Sequence, residues 1–452
     1  MLSGWFLVLA CANPVNLAAQ LLDSQDSRFK CDVLLIVAHP DDETAISSYL
    51  ARLSLDAGKR IGEAVVTRGT SAPNGHGSEN GRAMGMVRDR EHREALRRLG
   101  IEWTWYLSND NWSLGQDPLE SLGWWPHGAA LEEAVRLIRL TRPEVILTFL
   151  PALVGDHSEH QASGILAVEA FDLAGDPMAF PEQVAPPQAP GRVGQRREGL
   201  TPWQAKRLFF FTDADDLPPI PGPSFAAAEV SPSRAKSYLR LAGESAAAYL
   251  TAEEFASLAQ NPADSERQMY AGFPLFPPVV RLIPGKDHVV DARAVSDPFA
   301  GLDNGAIGFV AAAPPATDQT GPGLTVELGD PWAFYREFWR RHGLAGLREH
   351  IPTRVGVPPS TRVPVWLRIG NGDSRPLSAT LDARLPGGWQ LVDPDRSAFT
   401  VGARQTAHLR VLLSAPEETS PSWKIATFSV RAAGQTAQTT LALQVRKVGI
   451  PF

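Results

Sequence analysis

Cysteine is nearly absent: Cys11 and Cys31 are the only two in 452 residues. That excludes a disulfide framework and a cysteine-rich zinc finger, so any metal must rely on histidine and aspartate. No run of lysine and arginine stands out, and the net charge is -7, which gives no reason to expect nucleic acid as a partner. No stretch is long enough for a transmembrane helix. There is no internal repeat and no low-complexity tract. No Gly-x-Gly-x-x-Gly follows the first strand, so the layout does not imply a dinucleotide. The composition that remains, 44% hydrophobic and 21% charged, is that of an ordinary globular chain. Its length predicts two or three domains, and 38 prolines with 38 glycines predict many loops.

The N-terminus, Met1 to Ala12, is an apolar run of signal-peptide length with no lysine or arginine before it. Residues 1–20 are expected to form a signal peptide, with Ala18-Ala19-Gln20 supplying small residues for cleavage. Leu9-Ala10-Cys11 adds the alternative of a lipid anchor through Cys11. The expected location is therefore periplasmic or extracellular.

Apolar runs then alternate with helical segments. Strands are predicted at 32–37, 64–67, 103–107, 145–150 and 208–211, with helices at 45–56, 82–99, 132–140 and 162–172. This alternation predicts an α/β fold with a Rossmann-like parallel sheet and right-handed crossovers. Two further helices are expected within Ser231 to Gln260. The stretch 271–350 is mixed and receives no fold assignment. Beyond Pro358-Pro359, short alternating strands such as Val363–Ile369 and Thr439–Val445 predict an all-β sandwich over 358–448. By pattern it resembles the Ig-like accessory domains of bacterial glycan-active enzymes.

The chemistry collects after the first strand, at His39-Pro40-Asp41-Asp42-Glu43. In open α/β sheets, ligand sites lie beyond the carboxyl ends of the strands. His39 and Asp42 suit zinc, and Pro40 stiffens the turn between them. Asp41 is left beside the metal, where a general base would sit. A second cluster, Asp156-His157-Ser158-Glu159-His160, follows the strand at 145–150. One of its two histidines is a candidate third ligand and the other would face the substrate. Three protein ligands with an open fourth position is the pattern of a catalytic zinc.

Ala38-His39-Pro40-Asp41-Asp42-Glu43, the later His157-x-x-His160, and Arg88-x-x-Glu91-x-x-x-Ala95-x-x-x-Leu99-Gly100 between them together resemble the PIG-L/LmbE family of zinc-dependent N-deacetylases. The resemblance covers roughly residues 30 to 260 and places the deacetylase domain at 28–270. It implies His39, Asp42 and His160 as the metal ligands, with Zn2+ as the ion and Fe2+ as an alternative occupant. It implies Asp41 as the catalytic base, His157 as the catalytic residue that stabilises the oxyanion, and Arg88 as a contact to sugar hydroxyls. The implied substrate is an N-acetylglucosamine-type sugar or glycoconjugate. Thr70 stands after Gly69 where the family often has an acidic residue.

Other readings stand beside these. The same metal site could cleave another amide-linked conjugate, or the chain could bind glycans through a vestigial site. Asp156 reads as a helix cap, and Glu43 and Glu91 as structural carboxylates. Trp124, Trp125 and His127 line either a sugar site or a core cluster. His76, His92, His288, His342, His350 and His408 fit no motif and read as surface or core residues. The aromatic stretch Asp330–Trp339 reads as packing between domains.

Overall fold

The computed structural model describes residues 27–446, apart from 110–117, 154–157, 187–196, 213, 215–216, 218, 253–254, 256–276, 290, 303–304, 312–322, 393–397 and 421. The expected signal peptide at 1–20 and Cys11 lie outside the described residues.

Five strands form the parallel part of a central sheet: β1 (Val33–Val37), β2 (Ile61–Thr67), β3 (Trp103–Asn109), β4 (Val145–Phe149) and β5 (Arg207–Phe211). A small ribbon, β6 (Ser224–Ala226) with β7 (Val279–Arg281), lies apart. β8 (Ile283–Asp287) adds an antiparallel edge next to β5. The spatial order is β3-β2-β1-β4-β5-β8, so the direction of winding reverses between β1 and β4. That reversal opens the crevice in which such sheets bind ligands.

All five residues of β1 are buried, because both faces of the sheet are covered. Alternate side chains leave a strand on opposite faces. Leu34 and Ile36 therefore join one apolar cluster with Ala134 and Ile138, from the helix His127–Thr141, and Ile165 and Leu166, from the helix Ser158–Leu173. Val33, Leu35 and Val37 join a second cluster with Tyr49, Leu50, Leu96 and Leu99. The helices, in chain order, are α1 (Ser47–Ala51), α2 (Gly81–Arg98), α3 (Pro118–Trp124), α4 (His127–Thr141), α5 (Ser158–Leu173), α6 (Pro181–Val184), α7 (Tyr238–Ala246) and α8 (Trp332–Arg341). Of the two helices expected within 231–260, α7 is the first; Phe255 is again α-helical, and 253–254 and 256–260 lie outside the described residues.

The C-terminal part contributes β9 (Leu324–Leu328), β10 (Arg354–Val357), β11 (Arg362–Asn371), β12 (Leu377–Arg384), β13 (Gln390–Leu391), β14 (Ala398–Val401), β15 (Thr406–Ser414), β16 (Lys424–Ala432) and β17 (Gln435–Val445). They form two sheets, β10-β17-β16-β12-β14 and β13-β15-β11-β9, antiparallel throughout except for the β10/β17 pair. Val365, Leu367 and Ile369 of β11 meet Phe428, Val430, Leu441 and Leu443 in one core. The expected Ig-like topology is not assigned to these sheets. β9 pairs with β11 but comes from the stretch that had no fold assignment.

α8 ties the two parts together. Trp332 belongs to the core of the C-terminal sheets, whereas Tyr335, Phe338 and Trp339 belong to the core beneath α4 and α5. The Trp339 indole N–H donates to the Pro151 carbonyl at 2.8 Å, the Tyr335 hydroxyl donates to Gln161, and His342 Nδ1 lies 2.8 Å from Asp172. The aromatic stretch is packing between units, as its composition suggested.

Candidate metal centre

The turn after β1 is built by Asp42. Its Oδ2 accepts the backbone N–H groups of Ala38 and His39, each at 2.8 Å, which folds the carboxylate back over the strand end. Oδ1 is thereby directed at the two histidines, 3.4 Å from His39 Nδ1 and 3.0 Å from His160 Nε2. One donor atom from each of His39, Asp42 and His160 lies within 4.8 Å of the others. Around a tetrahedral zinc with bonds of about 2.0–2.1 Å, neighbouring ligand atoms are about 3.3 Å apart, so these separations and this N, N, O donor set fit a divalent ion.

His160 arrives from the β4 side of the crevice, in the first turn of α5. Its ring stacks on Phe149, the last residue of β4, with centroids 4.1 Å apart and planes 6° from parallel. Gly164, one turn further along α5, lets the helix approach this strand end: a Cβ there would stand 2.2 Å from the Phe149 carbonyl oxygen. Phe149 thus fixes the helix through its carbonyl and the imidazole through its ring.

Glu159, to which the sequence assigned no role, is fully buried and holds His39 from behind, with His39 Nε2 donating to Glu159 Oε2 at 2.5 Å. Such a carboxylate behind a ligating imidazole fixes its tautomer and ring orientation, leaving Nδ1 toward the site. Burial depresses the His39 pKa, but Asp42 and Glu159 outweigh it and raise it from 6.5 to about 9. Burial raises Asp42, and the His160 and His39 imidazoles overcome that, holding its carboxyl well below the usual carboxylate range.

Asp41 adopts φ 132° and ψ -13°, a region that non-glycine residues rarely occupy. The turn is held by Thr44, whose N–H and hydroxyl both donate to the Asp41 carbonyl. The Asp41 side chain is turned to α2, where Arg88 Nη1 donates to Oδ2 at 3.0 Å. Arg88 is itself buried, and its Nε has no hydrogen-bond partner. The sequence reading placed both residues near the site but did not anticipate their ion pair. His157, the expected second histidine, and Asp156 lie outside the described residues. Trp125 is core, and His127 Nε2 lies 2.6 Å from Glu169, while Trp124 is exposed.

Beneath the turn sits a second group. Glu43, Glu63 and His92 are fully buried and bring one ligand atom each within 4.8 Å. Burial pushes Glu43 up to about 8 despite His92, and drives Glu63 well above the ordinary value, with Asp42 and Asp41 adding to the effect. Burial also lowers His92. Glu91 takes the N–H of Thr251 at 3.0 Å and its hydroxyl at 2.6 Å, a structural role.

Residues 34–171 match the family model described as PIG-L: GlcNAc-PI de-N-acetylase. The N-terminal unit carries a PIG-L/LmbE-family domain. Among solved structures, the chain is similar to a conserved protein from Thermus thermophilus (20% identity, 58% of this chain, 98% of that chain, TM-score 0.39). It is also similar to the N,N'-diacetylchitobiose deacetylase from Pyrococcus horikoshii (15% identity, 61% and 94%, TM-score 0.39). A third is the 4-carboxy-2-hydroxymuconate hydratase from Pseudomonas putida (14% identity, 57% and 98%, TM-score 0.35). In the PIG-L/LmbE-family domain and the rest of the described residues, no helix is long and apolar enough to cross a membrane.

Proposed function

We propose that the protein is a metal-dependent hydrolase that removes the N-acetyl group from an N-acetylglucosamine-type sugar or glycoconjugate. The observation that carries this reading is the convergence of His39, Asp42 and His160 at the β1/β4 crevice, on the same turn as Asp41. The PIG-L family match over 34–171 supports the acetamide as the scissile group.

His39 Nδ1, Asp42 Oδ1 and His160 Nε2 are the atoms that would hold the ion, with zinc proposed and ferrous iron the alternative. When bound, such an ion supplies Lewis acidity, polarising a carbonyl and lowering the pKa of water toward ~7. Asp41 is the proposed general base, taking a proton from the attacking water onto its carboxylate. Arg88, donating to Asp41 Oδ2, fixes the orientation of that carboxylate. The remaining donors of this guanidinium are proposed to reach a sugar hydroxyl. His157 is the proposed donor to the tetrahedral oxyanion and to the leaving amine. Export through residues 1–20, and an Ig-like accessory role for the C-terminal sheets, belong to the same reading.

The test is acetate release from a panel of N-acetylated sugars by zinc-loaded protein, with Asp41→Ala alongside. Release that is abolished in Asp41→Ala supports the reading. Full zinc occupancy without release across the panel would turn it toward another amide substrate or a glycan-binding protein.

A further inference from the structure

Three elements meet in the interior below the metal centre: the turn carrying Glu43, the middle of β2 at Glu63, and α2 at His92. β2 is buried along its whole length, and Glu63 is its one charged residue. A carboxylate is placed in such a strand at large cost unless it is paired or coordinates a cation. Yet Glu63 Oε1 and Glu43 Oε2, both buried, have no hydrogen-bond partner.

Among the described residues, His92 Nε2 is the one hydrogen-bond partner of Glu63, through Oε2, and the separations are also those of ligands around one ion. His92 Nε2 stands 3.3 Å from Glu63 Oε2 and 3.8 Å from Glu43 Oε2. A charge-assisted hydrogen bond would close to about 2.7–2.9 Å, whereas ligand atoms around a tetrahedral zinc stand about 3.3 Å apart. The outward-facing atoms are already occupied. Tyr106 OH lies 2.8 Å from His92 Nδ1, and the Tyr249 hydroxyl donates to Glu43 Oε1 at 2.8 Å. Outer hydrogen bonds of this kind aim the remaining atoms, His92 Nε2 and Glu43 Oε2, at a common point.

We propose that Glu43, Glu63 and His92 form a second divalent-cation site, of zinc type, that shares no ligand with His39, Asp42 and His160. Its three ligands are fully buried, so the site is out of reach of a substrate in the crevice. The cation joins the Asp41–Glu43 turn to β2 and α2, so it braces the turn that presents Asp42 without touching substrate.

Zinc content per chain, measured by elemental mass spectrometry after refolding from chelator into zinc, tests this independently of turnover. The wild-type chain is expected to hold two zinc ions. The double variant His39→Ala/His160→Ala, which leaves the buried trio intact, is expected to keep one. Glu63→Gln, with folding checked by circular dichroism, is also expected to keep one. One zinc in the wild type, falling to none in His39→Ala/His160→Ala, would overturn the proposal whatever the outcome of the acetate assay. Should Glu63→Gln fail to fold, the wild-type and double-variant counts still decide.

Discussion

Gly164→Ala tests how the histidine helix is seated. The added methyl would stand 2.2 Å from the Phe149 carbonyl oxygen, 3.1 Å from its carbon and 3.2 Å from the Pro151 nitrogen. All three are backbone atoms at the end of β4, so no side chain can swing away. Reaching even 3.0 Å requires α5 and the strand end to part by about 0.8 Å. Overpacking of this kind costs about 1–3 kcal/mol of stability. His160 lies four residues earlier on the same helix face and stacks on the same Phe149, so the movement carries its ring with it. Metal–ligand distances tolerate only about ±0.2 Å. We therefore expect Gly164→Ala to weaken zinc binding by about 10–100-fold, the loss typical when a ligand's support is removed. The assay is competition against a chromophoric chelator, alongside urea unfolding of the metal-free protein. Gly128→Ala is the control: it lies near the start of α4 with nothing within 4 Å of its Cβ position. It should leave zinc affinity unchanged and stabilise by about 0.5–1 kcal/mol. Wild-type stability and affinity in Gly164→Ala would refute the argument.

Three further outcomes are expected. His39 has its pKa raised from 6.5 to about 9, so the stability its protonated ring contributes is full below pH 6.5 and is lost as pH rises through 9. Chelator-treated protein should thus lose stability across that window while zinc, which displaces the same proton, binds more tightly; chelator competition showing a flat affinity would contradict this. Glu159→Gln should keep the fold but weaken zinc binding by about 10–100-fold, because a neutral amide supports His39 less well, and calorimetry of zinc binding would detect it. Burial pushes the Cys31 thiol up to about 12. In a Cys11→Ser background it should resist a thiol reagent at neutral pH until denaturant is added, and rapid labelling of the native protein would count against the burial argument.

Much of this architecture was readable from the chain because the patterns were local. The run Val33–Val37 is uniformly apolar and uniformly buried, and the polar residues that follow it form the centre. β11 and β17 were legible because one face of each meets solvent, which imposes alternation. β8 was not, since Ile283-Pro284-Gly285-Lys286-Asp287 has the composition of a turn. It is a strand only because it takes the sheet edge, where a proline is tolerated. β9 depends on pairing with β11 across α8, a contact that no window of sequence contains. In the centre, the ligands carried a motif, but their supports did not. Glu159 lies just before the helix expected at 162–172 and Glu63 just before the strand expected at 64–67, and neither belongs to a ligand motif. Their meaning comes from His39 and His92, which are distant in sequence. Between α7 and the helical Phe255 the chain turns at 248–251, which delivers Tyr249 to Glu43 and Thr251 to Glu91.

The position of α8 also sets an order of events during synthesis. The histidine helix emerges from the ribosome long before the residues that cover it, so α4 and α5 wait with an apolar flank bare until Trp339 has been made. The family-matched segment, 34–171, therefore finishes translation without its own core complete. A chain stopped between β8 and α8 would expose that flank permanently, and a chaperone or a protease would meet it there. The same helix carries Trp332 in the core of the C-terminal sheets, so one element closes the first core and contributes to the second.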